Sequence, residues 1–380
     1  MRNLFGLFAF AFLFLSLATA DDWPNWRGPN LDGVSGESIP DKLATGLPVL
    51  WKAKIGIGFS TVSVKGDRVL TMGNDGKGTD TIWCLSAGTG EVIWKHSYAC
   101  PLDPLYYEGG PSATPTISSN SVFTLSKKGH AIRLNLETGE VIWKRDLVAD
   151  HQFEIPEWSF ASSPFIDGDR VLLNVGRGGM ALDRETGKTI WVNSKDTSVY
   201  ATVVPFPPRN AHLLFSAVSL IAFESPTGKQ IWEYASKSSR NVNAADPIVS
   251  GTKILISSSN GTDLLDWATG KKQPELIWQN KDLKWYFNPG VLIDDHLYSI
   301  HGTTHRPTEL VCVDFKTGKT VWTESGYGSG ALMGAGKKVI LFDEGQLTIF
   351  EANPEKFEII HRQKILDRKC WTVPVLANGR

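Results

Sequence analysis

Short runs of β-branched and apolar residues, broken by Gly, Asn, Asp and Ser, follow one another along almost the whole chain. Within one stretch Arg170-Val-Leu-Leu-Asn174 leads through a glycine turn to Met180-Ala-Leu-Asp183, and a Thr-Gly pair then opens a last run that ends on Trp191. Runs of this length between such turns predict antiparallel strands. The glycine of Thr-Gly supplies the positive φ that a tight hairpin needs. No segment sustains a 3.6-residue period, so almost no helix is expected.

The same four-strand grammar recurs. Gly88-Thr-Gly-Glu-Val-Ile-Trp94, Glu137-Thr-Gly-Glu-Val-Ile-Trp143, Glu185-Thr-Gly-Lys-Thr-Ile-Trp191, Pro226-Thr-Gly-Lys-Gln-Ile-Trp232 and Lys316-Thr-Gly-Lys-Thr-Val-Trp322 are near-copies. Ala268-Thr-Gly270 to Trp278 is a sixth with a small insertion. Leu50-Trp51-Lys52 reads as an orphan last strand, and near Ile359-Ile360 a degenerate copy replaces Trp with Ile. Four strands per roughly 45 residues is the period of a propeller blade. The expectation is an all-β, eight-bladed β-propeller of four-stranded antiparallel blades, with the last blade incomplete. Radial stacking buries both faces of each small sheet. Trp51, Trp94, Trp143, Trp191, Trp232, Trp278 and Trp322 would wedge between neighbouring blades, which accounts for half of the 14 tryptophans.

The first 20 residues are of another kind. Arg2 precedes a run that is apolar from Leu4 to Leu17 apart from Gly6 and Ser16, and Ala18-Thr19-Ala20 fits a small-x-small cleavage site. This predicts a secretory signal peptide over 1–20, an extended leader over 21–46 and a propeller over 47–380. The expected location is therefore the periplasm or cell envelope, as a soluble protein with no membrane span after cleavage. A net charge of −1 offers nothing to attract nucleic acid. Of the four cysteines, Cys84 and Cys312 share a repeat position and are expected as buried thiols. Cys100 and Cys370 lie in loops near the closure of the ring, where a disulfide would form a staple.

The Thr-Gly-x-x-x-Trp ends resemble those of the quinoprotein-like, or PQQ-binding-like, propeller repeats. Asp22-Trp-Pro-Asn-Trp-Arg-Gly-Pro-Asn-Leu-Asp-Gly-Val34 resembles the leader of an exported bacterial subgroup of that family. The resemblance implies eight blades and two possible functions. Some members are dehydrogenases holding pyrroloquinoline quinone (PQQ) and Ca²⁺ in the central channel. Another is the propeller lipoprotein of the β-barrel assembly machinery, a scaffold. The chain has no adjacent cysteines and no haem motif, and this favours a non-catalytic reading without a cofactor. A hydrolase or lyase is a more remote third class.

Propellers bind at one mouth of the channel. Loops leading into the innermost strands would place Tyr106, Tyr107, Glu108, Glu157, Trp158, Tyr200, Arg240, Asn241, Asn243, Lys284, Trp285, Tyr286, Tyr327 and Trp371 there. Ser112, Thr114, Ser163, Asp246, Asn288 and Thr372 would form a polar ring just inside. Aromatics beside a few charges suit a glycan, a protein or a planar group, and Trp158, Trp285 and Trp371 are expected to share one cavity. Asp246 and Asn288 are the best oxygen pair for a cation, but two ligands are too few. His301 and His305 have a zinc-like spacing in a turn, which is not a helix. No metal site is expected. The glycines of 326–336 precede a strand rather than a helix, so no dinucleotide site is expected either.

Overall fold

The computed structural model describes residues 21–43, 46–238, 242–285, 287–302, 308–367 and 369–380. Its strands form seven four-stranded antiparallel meanders, at 63–99, 116–146, 165–192, 204–235, 248–280, 291–327 and 331–364, here blades 1 to 7. Among the described residues helix is confined to Leu147–His151 and one 3-10 turn, Pro207–Arg209. A strand of the leader, Val34–Ser35, adds to the innermost strand of blade 7 in parallel, through Val34–Gly334 and Ser35–Ala335.

Each blade carries the same irregularity, and it explains the repeat. Between the third and outermost strands the register slips by one residue just ahead of the tryptophan: Val92 faces Leu85, but Trp94 faces Cys84. The slip recurs in all seven blades. A bulge of this kind leaves one residue out of the ladder and re-aims its neighbours. The bulged residues Ile93, Ile142, Ile190, Ile231, Ile277 and Val321 are exposed, while the tryptophan that follows turns toward the next blade.

There the indole N–H donates to a turn carbonyl: Trp94 to Leu136 (2.8 Å), Trp143 to Arg184 (3.0 Å), Trp191 to Ser225 (2.7 Å), Trp278 to Phe315 (3.0 Å) and Trp322 to Asn353 (3.0 Å). The six-membered ring of Trp94 lies flat on Gly139 of the next Thr-Gly turn, where a Cβ would meet it at 2.6 Å. Trp232 departs from the rule. It is buried edge-on against Trp267 (5.1 Å, 88°) and its N–H has no partner. In blade 7 the register position of Trp belongs to His361. Ile360, the residue expected to replace it, is the bulge.

The eight-bladed count is not reached in four-stranded sheets. Between blades 7 and 1 lie two further segments, 47–54 and 371–376, outside the four-stranded sheets. Trp51 donates to Ala87 O (2.9 Å) and covers Gly90 as the other tryptophans cover their glycines. Gln363 of blade 7 exchanges two hydrogen bonds with the backbone of Leu47 (both 3.0 Å), and Thr61 Oγ1 donates to Val373 O (2.6 Å). Trp51 takes the place that a blade-docking tryptophan takes elsewhere in the ring. No hydrogen bond joins the two segments among the described residues. In every four-stranded blade two middle strands, at about 4.8 Å per strand, separate the inner from the outer strand.

All four cysteines are buried thiols, so the Cys100–Cys370 staple is not formed. Burial pushes Cys84, Cys100 and Cys312 up to about 12.

Candidate functional site: the channel and its mouth

The innermost strands begin at one end of the channel, and a chain of hydrogen bonds binds their approaches together. Thr114 N–H donates to Ser163 Oγ (2.9 Å), Ser163 N–H to Thr202 Oγ1 (3.1 Å), and Thr202 N–H to Asp246 Oδ1 (2.6 Å). Part of the expected polar ring therefore exists, from blade 2 to blade 5. Thr202 is a member that sequence reasoning missed. It follows Ala201 at the same repeat offset as Ser163, which was the available signal. Asn288 stands apart, donating to Trp371 O (2.9 Å) and Gly330 O (3.5 Å).

The leader fills this channel. Asp22 Oδ1 accepts from Gly66 N–H (2.7 Å), at the turn closing blade 1's inner hairpin. Trp23 pairs with Val64 through two backbone bonds (2.9 and 2.8 Å), and Pro24 O accepts from Ile117 of blade 2. At the tip, Trp26 Nε1 donates to Asp246 Oδ2 (2.7 Å). Arg27 then reaches the approach to blade 6, donating to Pro289 O (3.1 Å) and Gly290 O (3.0 Å), and within its own loop to Asp32 O (2.6 Å) and Leu31 O (3.3 Å). The leader returns as Val34–Ser35 along blade 7.

The odd composition of the leader motif follows from this path. Gly28 has φ +81° under the Trp23 ring, where a Cβ would sit 2.8 Å from it. Gly33 at φ +77° packs on the Arg27 guanidinium. Asp246 is buried, which lifts its carboxyl from 3.8 to about 6, against the pull of Thr202 N–H, Arg27 and Trp26.

At the mouth the expected residues divide. Trp371 lies in an aromatic cluster, stacked with Phe287 (5.8 Å, 11°) and tilted on Phe59 (5.1 Å), which in turn meets Tyr107 edge-on (5.4 Å). Lys369 Nζ covers the Trp371 ring at 4.8 Å and pairs with Glu108 (3.2 Å). Phe59 and Phe287 were missed. Trp158 packs edge-on to Tyr200 (6.1 Å), whose hydroxyl accepts from Trp158 N–H (3.4 Å) and is pushed up to about 12 by burial. Two loops beside these residues are tied by Ser159 to Asp103 (3.3 Å) and by Lys127, which donates to Leu102 O and Asp103 O. Tyr106 stands above them, 84% exposed, with Glu157 exposed nearby in sequence to Trp158.

Three expectations are corrected. Trp285 is 2% exposed inside the core of blades 5 and 6, so it does not share a cavity with Trp158 and Trp371. Its backbone N–H donates to Ser257 Oγ (3.1 Å), while the ring packs in that core. Asn243 is fully buried and donates to Ser216 O and Ser236 O as a loop brace. Tyr327 lines a cleft of about 540 Å³ between blades 6 and 7, with Phe357, Arg362 and Glu344. Lys284 is half-buried, its N–H donating to His301 Nδ1. Arg240, Asn241, Tyr286 and His305 lie outside the described residues.

The profile of the family described as outer membrane protein assembly factor BamB matches residues 42–143 and 78–324. The chain belongs to this family of PQQ-like propeller repeats. BamB of Salmonella typhimurium is 26% identical over 108 residues, 28% of this chain and 25% of that one. BamB of Escherichia coli is 28% identical over 108 residues, with the same coverage. The match thus spans about a quarter of the length of these curated relatives.

Among solved structures, BamB from Moraxella catarrhalis superposes with a TM-score of 0.61 at 16% identity, over 84% of this chain and 89% of that one. A europium-containing methanol dehydrogenase reaches 0.70 at 13% identity, over 93% and 87%. The quinohemoprotein alcohol dehydrogenase from Comamonas testosteroni reaches 0.65 at 13% identity, over 94% and 75%. These likenesses establish the propeller fold alone.

The residues present do not suit a quinone with its cation. Both oxygens of Asp246 accept bonds from the protein's own donors, and Trp26 and Arg27 occupy the space beside it. Among the described residues no three His, Cys, Asp or Glu side chains gather as a metal centre, and no helix is long and apolar enough to cross a membrane.

Proposed function

We propose that this chain is a non-catalytic propeller of the cell envelope, exported by its first 20 residues, that presents its mouth loops to a protein partner. The observation that carries this reading is the contrast between a channel occupied by the chain's own leader and a rim bearing a half-open aromatic surface. Tyr106 is held at φ +62° on a loop that a buried lysine and an ion pair, Lys128 with Asp103, fix in place. An exposed aromatic on an anchored loop is the usual makings of a binding hot spot, because little side-chain freedom is lost on docking. Membership of a family described as an assembly factor supports a protein partner over a glycan.

The test is site-specific crosslinking from position 106 in intact cells, followed by purification of the adduct. One discrete adduct, lost several-fold in Trp158→Ala while the melting temperature holds, is the expected result. A purified chain that instead develops quinone absorbance and dye reduction when soaked with quinone and Ca²⁺ would overturn the reading.

A further inference from the structure

We propose that the channel is a peptide-binding site for an adjacent tryptophan and arginine, and that the leader fills it in cis with Trp26 and Arg27. The inference goes beyond the mouth surface and does not depend on it.

The site is built for this pair. Arg27 is fully buried and its guanidinium is ringed by four carbonyl oxygens. Those of Pro289 and Gly290 come from blade 6; those of Leu31 and Asp32 come from the leader. A planar fork with five N–H donors satisfies such a ring, whereas an ammonium with three does not. The carboxylates of Asp246 and, less strongly, Asp32 attract Arg27, while the oxygens of Asp246 take the Trp26 indole N–H and Thr202 N–H. The carboxylate thus reads the indole directly and the guanidinium through its charge. Elsewhere the leader meets the propeller through backbone pairing at Trp23–Val64 and at Val34–Ser35, and through side chains of Asp22, which accepts from Gly66 N–H, and Asp41, which pairs with Lys338 (2.7 Å). Backbone pairing fixes position, and the two side chains fix identity.

The location gives the site a purpose within the fold. Trp23 grips blade 1 and Val34–Ser35 grips blade 7, the first and last of the four-stranded blades, which meet at the closure of the ring. The leader also holds the far end of the chain, with Glu37 accepting from Gly379 N–H (2.8 Å) and Ser35 Oγ donating to Leu376 O (3.2 Å). An occupied channel therefore latches the seam of the ring from inside.

The experiment uses the full chain with a protease site inserted between Asp41 and Lys42, which are exposed. The protein is folded, then cut, and challenged with labelled peptides of sequence 21–37. The cut leader is expected to remain bound through gel filtration and to exchange with the native peptide. Peptides carrying Arg27→Ala or Trp26→Ala should compete far less well, the former by about a hundred-fold, since a buried ring of acceptors is left without its donor. Loss of the leader on cutting, or equal competition by the substituted peptides, would overturn the proposal. Should no peptide exchange while the fold survives, cutting the full chain that carries Arg27→Lys decides. Release of the leader then supports the site, and retention refutes it.

Discussion

Gly139→Ala is the most discriminating test of blade docking. Gly139 has φ +72°, so any side chain there costs about 1–2 kcal/mol in backbone strain. The less flexible unfolded state returns about 0.4–1 kcal/mol of that. A Cβ would also sit 2.6 Å from the Trp94 ring, and forcing volume into a packed contact adds about 1–3 kcal/mol. The internal control is Gly270→Ala. Gly270 stands at the same place in the repeat with φ +87°, but nothing lies within 4 Å of its Cβ, because Trp232 turns to Trp267 instead. Gly139→Ala should therefore cost about 2–4 kcal/mol and Gly270→Ala only about 1 kcal/mol, read from urea unfolding followed by circular dichroism and tryptophan fluorescence together. Coupling is the sharper form of the test. In a Trp94→Ala background the ring is gone, and Gly139→Ala should fall to the cost of its control. Equal costs for the two glycines, or an undiminished cost in that background, would show that the ring does not use the glycine as a seat.

Other expectations follow from single contacts. Trp94→Ala should cost about 3–5 kcal/mol, and Trp51→Ala less, because Trp51 is only half-buried; paired urea melts compare them. The raised carboxyl of Asp246 favours the protonated form in the folded state. The penalty is thus fully present above about pH 6 and is relieved as pH falls toward 3.8. Relative to Asp246→Asn, the native chain should gain roughly 1 kcal/mol between pH 7 and pH 5; a flat difference in urea stability across that window would contradict the burial. Cys84, Cys100, Cys312 and Cys370 should resist alkylation in the native protein and react together in urea, since burial keeps their thiols protonated; mass spectrometry counts the adducts. Lys127→Met should leave Asp103 O without its donor and Leu102 O with Gly110 N–H alone, loosening the 100–110 loop and speeding its proteolysis severalfold at an unchanged melting temperature.

The repeat was legible because its causes are local. A Thr-Gly turn, a bulge and a tryptophan lie within seven residues in five blades, so one sequence shows them repeatedly. Legibility faded where the repeat lost its side chains. Near 360 the eye follows Ile-Ile as a copy of Val-Trp, but the bulge moves the register to His361, and only the pairing with Ile349 reveals it. Trp285 misled for a related reason. Lying in a loop ahead of an inner strand says which end of the blade a residue occupies, and not which way its side chain turns. Its backbone N–H donates to Ser257, 28 residues earlier, and its ring packs in the core of blades 5 and 6.

The leader marks the limit of reading along the chain. Its residues looked like a family signature without a task, since Trp26 meets Asp246 across 220 positions and Arg27 meets Gly290 across 263. Asp246 was read from sequence as half of a weak cation pair; its oxygens instead take the Trp26 indole N–H and Thr202 N–H. A buried carboxylate does call for a positive or donating partner. Composition does not reveal that the partner is already encoded in the same chain. Once Arg27 is placed, the same observation that had suggested a cofactor argues for closure. Segments 47–54 and 371–376 lie between the first and last four-stranded blades. The leader reaches the inner strands or their approaches in blades 1, 2, 5, 6 and 7, so the partner that Asp246 calls for is part of what holds the fold together.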